Sequence, residues 1–161
     1  MSVRTREVAP GGFAVLLDET FDEANGAAYL VHMLLLQQEE ADGSGAFARQ
    51  ARRLRPVRLR LTDTGEECSV AASSAGLVVS SDVRGRYATS IAAESRHVID
   101  VTQVRLLGRF VLAGPFRDAK FLGLVRDILV RKVRIGGLLT HYLNTMRFLW
   151  LVNVRREPGA G

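Results

Sequence analysis

Between Pro56 and Thr62 the chain alternates: Val57, Leu59 and Leu61 are apolar, while Arg58 and Arg60 are charged. A period of two sends successive side chains to opposite faces of a strand, so this segment predicts a sheet with one buried and one wet face. Turn-forming stretches at Asp63–Gly65 and Ser73–Gly76 separate it from "ECSVAA" and "LVVSSD", giving a three-strand antiparallel meander. A fourth strand is predicted over Tyr87–Ala93, with Ser95 as N-cap of a helix from Arg96 to about Leu107. A fifth, about Ile128 to Ile135, leads through Gly136–Gly137 into a final helix.

Upstream the period changes. Leu16, Leu17, Phe21, Ala24, Ala28, Val31 and Leu35 recur at spacings of three and four, which predicts helix from Phe13 to Glu40, with Gly26 as a point of division. "ADGSG" at Ala41–Gly45 breaks it. A short basic helix from Ala46 to Leu54 follows, ended by the restriction Pro56 places on Arg55. Pro115 suits the first turn of another short helix carrying Phe116, Phe121, Leu124 and Val125, although Gly108–Asp127 is the least patterned stretch. Residues 1–12 read as an arm and 155–161 as a tail, leaving 13–154 as one domain. The order of elements predicts an α+β fold with a five-stranded, largely antiparallel sheet and helices on one face.

The final helix is more apolar than a surface helix requires. On a 100° wheel Leu139, Tyr142, Leu143, Met146, Leu149 and Trp150 form one apolar face, widened by Leu138, Phe148 and Val152. Asn144, Arg147 and Arg155 form a narrow polar edge. Its remaining apolar sides need a deep core, a ligand or a partner. A membrane span is not expected, because no apolar run reaches about 18 residues.

Composition narrows the choice. At 161 residues with 47% hydrophobic and 24% charged, the chain has the make-up of a globular domain. The single Cys68 excludes an internal disulfide and fits a reducing compartment. Phe13–Leu17 is too short for a signal-peptide core, so a cytoplasmic location is expected. Of 22 cations only Lys120 and Lys132 are lysines; that arginine bias reads as a GC-rich, bacterial genome's codon usage. The net charge of +5 favours anionic partners.

Candidate chemistry is sparse. His32, His97 and His141 stand apart, without metal-ligand spacing, so neither metal nor cofactor is expected. "GSGAFA" after Asp42 lacks a preceding strand and is no dinucleotide loop. One acid–base constellation is His141 on the apolar helix with His97 and Asp100 on another. Six arginines fall between Arg49 and Arg60, but no aromatic residue interleaves with them, so nucleic acid is not an expected partner. Arg58, Arg60, Lys132 and Arg134 share the outward phase of their strands. They make either a solvated face or a cationic plate for an anionic membrane surface.

The meander "PVRLRLTDTGEECSVAASSAGLVVSSD", the strand-to-helix unit "YATSIAAESRHVIDV" and the closing "VRKVRIGGLLTHYLNTMRFLWLV" resemble the sterol carrier protein 2-like (SCP2-like) domain family over residues 55–154. The resemblance implies an apolar tunnel between sheet and helices that binds or transfers a fatty acyl, sterol, isoprenoid or similar ligand without chemistry. On this chain its lining would be Phe110, Phe116, Phe121, Leu124, Leu139, Tyr142, Leu143, Met146 and Trp150. Gly108, Gly114 and Gly123 would allow a lid. The chain departs from the family pattern between Arg105 and Leu129, where the connection is long. It also reads Val130-Arg131 where glycine-lysine is usual. Two other readings stay open: a small enzyme using His141 or His97, and an interaction module docking through its last helix. Oligomeric state is not legible.

Overall fold

The alternation at 57–61 is realised as a central strand. A computed structural model describes residues 13–42, 45–102, 126 and 132–153. Its strands are β1 (Ala14–Leu17), β2 (Val57–Leu61), β3 (Glu67–Ala72), β4 (Gly76–Ser80), β5 (Thr89–Ala93) and β6 (Val133–Gly136). Its helices are α1 (Gly26–Ala41), α2 (Ala46–Ala51), α3 (Ser95–Thr102) and α4 (Tyr142–Leu151). The strands form one sheet in the order β1-β4-β3-β2-β5-β6.

The fold is α+β, as the pattern predicts, but the sheet has six strands and is mixed. The β2–β3, β3–β4 and β5–β6 pairs are antiparallel, and β1–β4 and β2–β5 are parallel. Because β4 and β5 run the same way, residues 81–88 must carry the chain back along the sheet before β5 pairs with β2. Pro56 anchors the arrival, its carbonyl accepting from the Ala88 amide at 2.9 Å.

The sixth strand is β1, at Ala14–Leu17, where the three-and-four spacing predicts helix. A run of five apolar residues fits either state, and two local turns decide it. The Asp18 carboxylate accepts from the Thr20 amide and that of Asp22 from the Ala24 amide, both at 2.9 Å, so 18–24 cannot continue a helix. Helix starts only at Gly26, where the Asn25 side chain caps the Ala28 amide at 3.1 Å. β1 lies tightly on β4: a Cβ at Gly76 would sit 1.9 Å from the Ala14 carbonyl oxygen. On its open edge the Val15 amide donates to the Glu39 carboxylate of α1 at 3.2 Å.

One face of the sheet carries Val57, Leu59, Leu61, Cys68, Val70, Leu77, Val79 and Ile91. These pack with Ala27, Ala28, Val31 and Leu35 of α1, Phe47 and Ala51 of α2, and Phe148 and Leu151 of α4. The other face carries Arg58, Arg60, Ser69, Ser90 and Arg134.

Smaller differences lie at element ends. α2 stops at Ala51, and β5 begins at Thr89 rather than Tyr87. Ser95 is the first residue of α3 rather than its cap; its amide donates to the Asp63 carboxylate at 3.1 and 3.2 Å, so the β2–β3 turn caps the helix. After β6, Gly137 adopts a left-handed φ of 82°, and a Cβ there would meet the Ala88 carbonyl at 2.3 Å. The turn that follows delays α4 to Tyr142, so Leu138 and Leu139 precede the helix. The expected strand portion at 128–131, and all of Gly108–Asp127 except the helical, exposed Arg126, lie outside the described residues.

Candidate apolar binding site

Strand register assembles an apolar floor. Leu59 pairs with Ile91, and Ile91 with Ile135, placing three branched side chains in one row across β2, β5 and β6. The adjacent row sets Ala93 beside Val133. Val98 and Thr102 of α3, with Phe148, Leu149 and Val152 at α4, form the walls of a groove over this floor. The space is about 430 Å³ counting its open mouth, and about 30 Å³ of it is interior volume. That interior holds one or two small groups, by the usual measure of roughly 10–15 Å³ for a water. Among the described residues of the lining, Thr102 brings the one hydroxyl, which donates to the Ile99 carbonyl at 2.7 Å within its own helix. These residues offer apolar contact and no free polar handle.

α4 meets the sheet through a polar pin. Asn144, on the supposed polar edge, is buried: its Oδ1 accepts from the Arg55 amide at 2.7 Å, and its Nδ2 donates to the Arg55 carbonyl at 3.2 Å and to Thr89 Oγ1 at 3.0 Å. Thr89 and Thr145 hydroxyls lie 3.3 Å apart beside it. Asn144, Thr145, Phe148 and Leu151 are thus the inward face. A wheel drawn from them turns Tyr142, Leu143, Met146 and Trp150 to the opposite side.

This changes where the residues expected to line a tunnel stand. Leu139 is 95% exposed and Leu143 48% exposed. Tyr142, Met146 and Trp150 are half-buried, Trp150 packing against the edge of the core. None of these five lines the groove. Phe110, Phe116, Phe121 and Leu124 lie outside the described residues, as do the glycines proposed as hinges. Leu149, Phe148 and Val152, which only widened the apolar wheel, are the α4 residues at the groove. Strand alternation already singled out Leu59; what the sequence concealed was which side of α4 turns inward.

The basic residues divide as well. Arg58 holds Glu67 of β3 through Nη2 at 2.6 and 2.8 Å and Nε at 3.1 Å, and Arg60 reaches the same carboxylate at 3.4 Å. Glu67 was not among the expected partners; its register opposite Arg60 is the signal that identifies it. Lys132 and Arg134 are exposed.

His97 is buried on α3 with Nδ1 3.8 Å from a Glu94 oxygen; His141 precedes α4, its amide bonded to the Gly137 carbonyl; Asp100 is exposed. Among the described residues no cluster of three His, Cys, Asp or Glu side chains could hold a metal ion. Burial pushes the Cys68 thiol up to about 12. No described helix is long and apolar enough to cross a membrane.

No protein-family model matches the chain, and no curated protein matches its sequence. A solved structure described as "UbiJ-SCP2 Ubiquinone synthesis protein" matches it in fold, with a TM-score of 0.50. The match covers 78% of this chain and 93% of the other at 11% identity. At that identity the likeness is one of architecture: the chain has an SCP2-like fold.

Proposed function

We propose that this SCP2-like chain binds an apolar, lipid-like ligand non-covalently between the β5–β6 end of its sheet and α3 and α4. The observation that carries the reading is the groove's apolar lining, in which the one hydroxyl among the described residues is already spent inside α3. Apolar burial is non-directional and grows with area, at roughly 25 cal/mol per Å² before ordering costs. Such a groove favours chain length and girth over headgroup identity. A fatty acyl, isoprenoid or sterol segment is therefore the class of ligand. The small interior means that a long chain enters only if Leu149 and Ile135, both half-buried at its edge, move aside. Likeness in fold to a protein described as acting in ubiquinone synthesis is compatible with an isoprenoid, but at 11% identity it does not choose among these.

The test is native mass spectrometry of the purified protein, with solvent extraction of what it carries, followed by titration with a fluorescent acyl probe. Wild type is expected to bind the probe, and Leu149→Asp or Ile135→Asp to lose at least tenfold in affinity while keeping a folded circular dichroism spectrum. Unchanged affinity in both folded variants would remove this groove as the site.

A further inference from the structure

We infer that the outward face of α4 is a docking surface for an anionic lipid bilayer, distinct from the groove. Leu143, 48% exposed, leads this face with half-buried Tyr142 and Met146 behind it, and Leu139, 95% exposed, stands in the turn just before the helix. Turning Asn144, Thr145, Phe148 and Leu151 inward leaves Leu143 exposed and Tyr142 and Met146 half-buried on the opposite side of the helix.

Charge complementarity identifies the occupant. Along one flank of the helix runs the Arg53–Arg55 stretch: Arg147 Nη1 donates to the Arg53 carbonyl at 3.5 Å, and Asn144 holds the Arg55 backbone. Arg53 and Arg55 are exposed, and among the described residues no carboxylate pairs with Arg53, Arg55 or Arg147. Arg58 and Arg60 on the outer face of the sheet are instead drawn onto Glu67. Exposed apolar side chains, the ring of Tyr142, and the exposed Arg53 and Arg55 on the adjoining flank are the elements of a surface that lies in the headgroup region. A second copy meeting this face across a two-fold axis would bring two such arginine flanks together, so the bilayer is the better match.

The experiment is co-sedimentation with vesicles of phosphatidylcholine alone and of equal parts phosphatidylcholine and phosphatidylglycerol, with light scattering of the free protein. Wild type is expected to bind the anionic vesicles, weakly or not at all the zwitterionic ones, and less as salt rises. Arg53→Gln with Arg55→Gln should weaken binding by about thirtyfold, the effect of two interfacial cations. Leu139→Asp with Leu143→Asp should abolish it, whereas Arg60→Gln with Arg134→Gln should change it less than about threefold. Equal binding to both vesicles, no binding, or a loss confined to the Arg60 and Arg134 variant would overturn the inference. A dimer dissociated by Leu143→Asp would replace the bilayer with a second copy.

Discussion

Asn144 grips the backbone of Arg55 from both sides, accepting from its amide at 2.7 Å and donating to its carbonyl at 3.2 Å, across 89 positions of sequence. One amide side chain thereby does what a neighbouring strand would, just ahead of Pro56, which has no N–H to contribute.

Asn144→Ala leaves the Arg55 backbone groups, part-buried under α4, and the buried Thr89 hydroxyl without these partners. Each stranded group costs roughly 1–3 kcal/mol, so a loss of about 2–4 kcal/mol is expected after partial relaxation. Urea unfolding should show a lower midpoint at an unchanged slope. A loss below about 0.5 kcal/mol would mean that the pin is dispensable.

Gly76→Ala drives a methyl into the Ala14 carbonyl, 1.9 Å away, a backbone atom that cannot yield without moving β1. A cost of at least ~2 kcal/mol is expected, with faster amide exchange at Leu16 and Asp18. Gly136→Ala is the contrast, since its nearest neighbour is Ser90 Cβ at 3.5 Å; a cost under about 1 kcal/mol follows. Similar losses in the two variants would discredit the close approach of β1.

Cys68 is fully buried with its thiol raised to about 12, so at pH 8 almost none of it is thiolate. An aromatic disulfide reagent is expected to leave it unlabelled in the native protein and to label it fully in urea. Rapid native labelling would place Cys68 outside the core.

Asp63 is held below its ordinary 3.8, first by its side-chain hydrogen bond with Ser95. Its stabilisation is complete above 3.8 and is lost as pH falls through the lower folded value. Asp63→Asn should remove that part of the acid limb, so the two stability curves converge at low pH and separate above 3.8. Parallel curves across that range would show that α3 draws nothing from this cap.

Much of the architecture was legible because strand alternation depends on local pattern alone. β2, β3 and β4 and their buried positions follow from residues 57–80. β1 escaped notice because a short apolar run carries no period, and its pairing with β4 spans about sixty residues. The parallel β2–β5 pair was hidden for a related reason: a strand's sequence does not state its neighbour. At α4, hydrophobicity marked Tyr142, Leu143, Met146 and Trp150, whereas the buried positions are Asn144, Thr145, Phe148 and Leu151. Asn144 and Thr145 are inside because hydrogen bonds to Arg55 and Thr89 satisfy them, and no wheel counts such partners. Of the groove's strand residues, alternation singled out Leu59 alone, and Ile91 and Ile135 join it only through the register of β2, β5 and β6.

The sheet's connectivity sets the order in which its pieces can form. β2, β3 and β4 are joined by short turns at 62–66 and 73–75, so their closure costs little loop entropy. Pairing Ala14 with Gly76, and Ala93 with Val133, waits on distant segments. Pulsed hydrogen exchange during refolding is expected to protect Val70 and Val79 before Leu16 or Ile135. Until α4 arrives, the apolar floor at Leu59 and Ile91 lacks its α4 wall, and a nascent chain at that stage would present to chaperones the same surface that the proposed ligand would meet in the finished groove.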